Sequence, residues 1–582
     1  MLFNIILLSD YYSIIFFRYF ALINTLLSLY DNILIIKNLY GIILKKSQLM
    51  KKIIVLFMLC SFISFTGFNS FSQKLDKEAT YQISGKAKRG ALAKVDYDDA
   101  TGNYTLIYVT KSTEKKAKFE TYTFDKDFNF INKTEEEIEF DKAKTKYTWF
   151  KWNGELYSIQ GNYVQPNLVG TLVLKEKKIT YKYDWLILGY YKTTEILKKV
   201  KPKIGDRKLH YYAHAEDDKT GEIYVLCGIK PKMKDMKDKS NTYMHAKNLV
   251  VVKFNPELEL VKEVAIDFEY PQHVAFSRTV SNISDDFDAP EVGGMAFVFA
   301  PMGGPGMNKY ADPDNCNYTY VHVDRDLNII DNIKFKSNAS FWKVDELVRD
   351  VSTEDMYLFG PLAAGKDKYY NVAMTTTKFK AVQLLKISNH KVDYLTETSL
   401  DDFEAKLKTP PSQKKSPAYK GKKFEIANYK IASNGDFFVF GQNFNKSKEG
   451  NKYTDVLSFH FDSKGVLKAQ YGIDILESNK YAKAAGTPQF MLEGADGKSA
   501  FWFLQEIKGT TMFSNKLLTY PRIGKVDVSG GSLNDFQAYG KDSGYYLNVK
   551  HPYLETSKGN TVVFFGEDKK GKTIWFLRVL LQ

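Results

Sequence analysis

Cysteine is scarce, with three in 582 residues. Cys60 falls in a segment expected to be removed, which leaves Cys227 and Cys316. They lie far apart, and one possible pair defines no disulfide framework. Isolated, packed thiols are the expectation, with pairing in an oxidising compartment as the alternative. Catalytic signatures are missing too: there is no G-x-S-x-G elbow, no phosphate loop and no cysteine–histidine arrangement. "HYYAH" places His210 and His214 four apart, but no glutamate follows the first, so it is not a zinc helix. On a strand the two histidines would share a face. Paired carboxylates cannot be assigned from spacing alone. The formal net charge is +14, yet the basic residues are spread out and no nucleic-acid motif accompanies them.

What the chain does have is aromatic residues, 15% of the total, set among Val and Ile in short runs, which favours strands. At 26% charged and 44% apolar it reads as an ordinary folded protein, long enough to bury a sizeable core. Residues 50–72, "MKKIIVLFMLCSFISFTGFNSFS", read as a signal peptide. Lys51 and Lys52 are its basic part, 53–65 its apolar part, and Ser70-Phe71-Ser72 its small-x-small cleavage site. The mature chain is expected to begin at Gln73. Leu59 is too large for a lipobox before Cys60. Residues 1–49 read as an upstream extension from a start site set too early. The competing reading, a membrane helix, is interrupted by Asp10, Arg18 and Asp31.

One short pattern recurs: a turn dipeptide, an alternating apolar strand, and often a closing glycine. It occurs as "NGDFFVFGQ" (434–442), "NGELYSIQG" (153–161), "TGEIYVLCG" (220–228) and "KGNTVVFFG" (558–566). Related copies lie at 101–109, 293–301, 354–362 and 496–504. Asn-Gly and Asp-Gly supply the positive φ of tight hairpins. Downstream of it comes a second pattern, a strand, a polar break and another strand. It is clearest at 456–474, 250–268, 319–335 and 120–140, and weaker at 172–184, 383–397 and 523–537. Asp125, Asn255, Asp324 and Asp462 mark the break and suit a short turn. One more strand precedes each turn, as at 423–432 and 146–152. The unit is therefore four short antiparallel strands, A to D, repeated radially. This predicts an all-β fold, a β-propeller of eight blades filling residues 73–582 as one domain. Seven blades is the alternative, because the unit at 146–184 is compressed. The last unit lacks strand D, and the strand at 79–88 lacks a blade. Pairing the two would close the ring and remove an exposed edge.

Tight A–B and C–D turns would lie on one face, and long B–C and D–A loops on the other. The long ones read as 230–247, 300–317, 267–293 and 401–423. Scaffolds carry function on such loops. Met233, Met236, Met302 and Met307, with Lys414, Lys415 and Tyr419, are the candidate partner-binding residues. Met244 belongs to the same methionine group. Methionine suits an adaptable protein surface; a copper site lacks histidine pairing or regular spacing. No cofactor is expected. "ADPDNCN" (311–317) alternates oxygen ligands as a Ca2+ loop would, but lacks the glycine and distal glutamate of an EF-hand. "EDKKGKTIWF" (567–576) is similar to the aspartate box of sialidase propellers, with one residue too many and no serine before the aspartate.

The signal peptide ending Ser-Phe-Ser-Gln and the A/T-rich residue usage resemble cell-envelope proteins of the Bacteroidota. The repeat resembles the divergent propellers such bacteria secrete, without the Trp-Asp, kelch or sialidase signatures of named propeller families. The last residues read as a propeller strand, so the C-terminal sorting domain that many exported proteins of this phylum carry is not expected here. The resemblance implies retention in the periplasm, with a surface-attached or extracellular location as the alternative. It also implies a protein-binding scaffold on an envelope or outer-membrane complex, such as secretion machinery. The alternative function is a glycan-binding or glycan-cleaving propeller with its site at the central channel mouth.

Overall fold

The computed structural model describes residues 73–581, apart from 140–146, 283–290, 303–316, 364–378 and several gaps of four residues or fewer. Strand dominates, and the helices are single turns. Among the described residues no helix is long and apolar enough to cross a membrane.

Eight four-stranded antiparallel blades succeed one another, and all eight recurring turn–strand segments are second strands. Blade 1 runs Ala91–Asp98, Asn103–Ser112, Lys116–Phe124, Phe130–Glu139. Blade 3 runs Arg207–Glu216, Ile223–Ile229, Asn248–Phe254, Leu260–Asp267, and blade 4 runs Gln272–Asn282, Glu291–Pro301, Asn317–Asp324, Ile329–Lys336. Glu346–Arg349, Met356–Ala363, Phe379–Ser388 and Lys391–Ser399 form blade 5. Phe424–Ile431, Phe437–Ser447, Gly450–Phe461 and Leu467–Ile473 form blade 6. Blade 7 is Gln489–Glu493, Ser499–Thr510, Leu517–Asp527 and the two-residue Gln537–Ala538.

Blade 2 departs from the expected boundaries. Tyr147–Trp152 pairs with Glu155–Gln160, and that strand continues after residue 161 as Asn162–Pro166, which pairs with Leu174–Asp184. Its fourth strand is Gly189–Val200. The stretch 172–184 is thus mostly one long strand, not a hairpin. Its lysine-rich centre, which suggested a break, lies in mid-strand, and the blade is not compressed. Residues 267–293 are likewise no loop, because they contain the first strand of blade 4.

Blade 8 closes the ring. Tyr545–Leu547 and Tyr553–Glu555 both pair with Thr561–Asp568, which pairs with Thr573–Leu581. Its fourth strand is Gln73–Gln82 from the other end of the described chain, antiparallel from Gln73↔Leu581 to Gln82↔Thr573. The strand lies earlier than expected: Gly85–Arg89 is a short helix, with the Ser84 hydroxyl accepting from the N–H groups of Lys86 and Ala87.

Apolar seams run around the circle. Val563, Phe565, Ile574 and Phe576 of blade 8 pack with Tyr104, Leu106, Tyr122 and Phe124 of blade 1. First and second strands of blades 1 and 2 touch. Leu172 and Leu174 pack into blade 3. Further cores join blades 3 and 4, 4 and 5, 5 and 6, 6 and 7, and 7 and 8. Blades 3 to 8 therefore bury both faces against their neighbours, which explains why their second and third strands read as nearly continuous apolar runs.

The repeat extends to its turns. In four C–D turns the side-chain oxygen of Asp125, Asn255, Asp324 or Asp462 accepts the N–H four residues on, at 2.7–2.9 Å. Phe128, Leu258 and Leu327 hold φ of 57–63° in three of these turns; Gly465 holds the equivalent place in the fourth. The closing glycine of the second strand also has a cause. A Cβ at Gly228 or Gly360 would land on the carbonyl oxygen of His245 or Lys343.

Candidate functional site: the long-loop face

Loop 230–247 of blade 3 is short-range structure braced chiefly at Asp235, with Lys232 paired to Asp206. Asp235 accepts from Arg207 at 2.7 Å and from the Lys232 N–H at 3.0 Å. The Lys232 N–H and the Arg207 guanidinium hold that carboxyl below its usual range. Lys230 donates to Thr171 at 3.0 Å, and the single turn Met244–Lys247 rests over Gly228. This framework leaves Met233 90% exposed and Met236 54% exposed, between Lys232, Lys234 and Lys237. Met244 turns inward instead, its sulfur accepting from Arg207 at 3.7 Å.

The other candidates separate. Met302 is half-buried, its N–H donating to Pro271 at 2.9 Å. Met307, Cys316 and most of 311–317 lie outside the described residues. Cys227 is buried and free, its thiol pushed up by burial. Lys414 and Lys415 are exposed on the D–A loop of blade 6, Lys415 lying 3.3 Å from Asp474. Tyr419 is 3% exposed, not a surface contact. Gln470 accepts its N–H at 2.7 Å, and its ring packs on Phe403, Phe424 and Phe459.

That D–A loop is a strap. Helix Leu400–Ala405 starts it with a Ser399–Asp402 capping box, and Leu407–Lys408 adds a parallel fifth strand to blade 6. Gln413 donates to the Gly472 carbonyl at 3.2 Å and accepts from the Asp474 N–H at 2.9 Å. Beneath it, between blades 5 and 6, is a cavity of about 210 Å³. Phe359, Phe379, Phe424 and Phe459 wall it with Tyr419; Lys343, Asp345, Lys423 and Lys446 reach it from the rim.

The inner strands carry the remaining polar chemistry. His210 and His214 do not share a face. A bulge between Tyr211 and Ala213 shifts the register, so His214 meets the Tyr211 hydroxyl at 2.9 Å while His210 faces His245, ring centres 4.6 Å apart. Burial, with His245 and Lys230 nearby, lowers the His210 pKa to about 4. Arg278 pairs with Glu346 and Arg349 with Glu354.

Sequence reasoning missed a recurring acid–base pair near the tight turns. Lys253 meets Glu222 at 2.9 Å, Lys386 meets Asp355 at 2.9 Å, and His460 meets Asp436 at 2.7 Å. Each base lies opposite the residue two after its acid: Tyr224, Tyr357 or Phe438. Burial opposes the Asp436 carboxylate, but His460 and Lys468 outweigh it and hold its pKa low. His460 is fully buried, its other nitrogen 3.3 Å from the Tyr471 hydroxyl. Repetition in three blades marks these pairs as blade construction rather than a reaction centre. The C-strand endings "KFN", "KIS" and "HFD" are the signal that could have revealed them.

No family model matches the sequence, and no curated protein matches it. Among solved structures the chain is similar to the Neurospora crassa Pan2 WD40 domain, at 9% identity and TM-score 0.25, over 87% of this chain and 95% of that one. It is similar to Drosophila Plexin A, solved with Semaphorin 1b, at 11% identity and TM-score 0.19, over 88% of each. Pseudomonas brassicacearum lignostilbene dioxygenase gives 10% identity and TM-score 0.25, over 80% and 90%.

Proposed function

We propose that this propeller is an exported envelope protein of the Bacteroidota type that binds a protein partner through its long-loop face. In this reading residues 50–72 direct export, 73–582 act as one domain in the periplasm, and the partner belongs to an outer-membrane complex. One observation carries the proposal: a braced loop presents Met233 and Met236 to solvent. Exposing two large apolar side chains on a rigid frame has little structural benefit, and it suits an adaptable contact surface. The lysines around them favour an acidic partner surface.

The test is cross-linking in envelope membranes with Met233→Asp/Met236→Asp, against Met233→Leu/Met236→Leu. A cross-linked partner that is lost with aspartate and kept with leucine supports the reading. Equal capture by both variants, or turnover of a glycan with no partner, overturns it.

A further inference from the structure

We propose that the cavity between blades 5 and 6 is a binding site for a carboxylate attached to a compact apolar or aromatic body. Three observations converge on it. First, its walls are rings. Phe424 and Phe459 have centroids 4.9 Å apart, Phe359 and Phe459 6.3 Å, and Tyr419 stands edge-on to Phe424 at 5.8 Å. At close packing the volume holds about ten non-hydrogen atoms, the size of one amino-acid side chain with its carboxylate.

Second, its charge is unbalanced. Lys343 is paired with Asp345. Lys423 and Lys446 line the same cavity, and among the described residues neither side chain has an ion-pair or hydrogen-bond partner. Among the described residues the rim therefore carries two unpaired cations, Lys423 half-buried and Lys446 exposed, beside one neutralised pair, and an anion is the complementary ligand. Third, the Tyr419 hydroxyl makes no hydrogen bond to a described residue, although the side chain is almost wholly enclosed and lines the cavity. The ring is buried while the hydroxyl is not among the enclosed atoms, so it is a donor open to the cavity, and an oxygen acceptor there would take its hydrogen bond.

The geometry assigns the parts: rings hold the apolar body, Tyr419 donates to one carboxylate oxygen, and Lys423 and Lys446 hold the charge. Either a free acid or the last residue of a peptide chain carries this chemistry; only the peptide adds an α-nitrogen and a preceding residue.

The experiment is calorimetric titration of the full chain with hydrocinnamate, its alcohol analogue, and the peptides N-acetyl-Ala-Ala-Phe and N-acetyl-Ala-Ala-Phe-amide. Hydrocinnamate or the free-acid peptide should bind, whichever source fits, and the alcohol and amide at least about tenfold more weakly. Lys423→Met/Lys446→Met should weaken the acid by about tenfold or more and leave the alcohol unchanged. Tyr419→Phe keeps the ring and should weaken the acid severalfold. Equal binding of acid and alcohol would overturn the assignment. So would no binding of either acid at millimolar concentration, or unchanged affinity in a lysine double variant whose melting temperature matches the parent's. Loss of the methionine-face partner would leave these outcomes untouched.

Discussion

Removing residues 73–82 tests the ring closure directly. The strand pairs with Thr573–Leu581 over nine residue pairs. Their hydrogen bonds, about 1 kcal/mol each, are offset by a comparable cost of ordering the backbone. The margin therefore comes from side chains. Tyr81 stacks on Phe130 with centroids 4.7 Å apart and meets Phe124 at 5.3 Å, worth about 3 kcal/mol. Trp575 donates to Glu78 at 2.7 Å, worth about 1.5 kcal/mol. Arg578 meets Asp76 at 2.5 Å at a partly exposed site, worth less than about 1 kcal/mol. The sum is about 5 kcal/mol. For roughly 500 residues unfolding together the melting entropy is about 1 kcal/mol/K, so the midpoint should fall by about 5 °C. Deletion also bares an edge whose third strand reads "TIWFLRVLL", which should promote self-association. The assay is calorimetry with light scattering, repeated with the peptide QKLDKEATYQ added in trans. Recovery of the midpoint with the peptide, and not with a scrambled one, is the expected result. A truncated protein that melts within about 1 °C of the parent and gains no self-association would refute the closure argument.

Other substitutions probe the repeat. Gly360→Ala places a Cβ on the Lys343 carbonyl, which cannot swing aside, and should cost about 3 kcal/mol or more. Gly205→Ala has open space at φ +57° and should cost only about 1 kcal/mol; denaturant titration compares them. Leu258→Gly relieves a left-handed residue, worth about 1 kcal/mol, but unburies a side chain worth about 3, so urea melts should show a net loss of about 2 kcal/mol. Burial, then His245 and Lys230, depress His210 from 6.5 to about 4. Its contribution to stability is thus full above about pH 6.5 and is lost as pH falls through about 4. His210→Gln should flatten the melting temperature across that window.

The second strands were legible because both ends are chemically constrained: a turn dipeptide opens them, and a glycine closes those that meet a carbonyl. Asp125, Asn255, Asp324 and Asp462 were legible because a side-chain oxygen must cap the turn. Blade 2 was misread because Lys177 and Lys178 stand in the middle of a strand, and composition cannot tell an exposed strand centre from a turn. Residues 272–282 looked like loop because this first strand is mostly half-buried or exposed, with only Gln272 and Val280 buried among its described residues, so polar and apolar residues mix. Tyr419 is flanked by Lys420 and the Lys414–Lys415 pair, and local sequence reads as surface. Its burial comes from Phe403, Phe424 and Phe459, on the strap's opening helix and on the first and third strands of blade 6.

The distribution of these features between the faces constrains any ligand. On the tight-turn face the same turn recurs in four blades and the same acid–base pair in three, so a ligand suited to one copy would meet near-equivalents around the ring. It would bind with a stoichiometry above one. Among the described residues the long-loop face differs from blade to blade: blade 3 carries a braced methionine loop, and blade 6 carries a strap with a cavity beneath it. A ligand of the blade 6 cavity, whose lining the other blades' described residues do not repeat, should bind one to one. The repeated titratable groups are already paired within their blades. The Tyr419 hydroxyl and the Lys423 and Lys446 ammonium groups have no hydrogen-bond or ion-pair partner among the described residues, and they line the cavity under the blade 6 strap. Blade geometry accounts for the first set of groups and not for the second, so functional specificity is to be sought among the unpaired groups of the long-loop face.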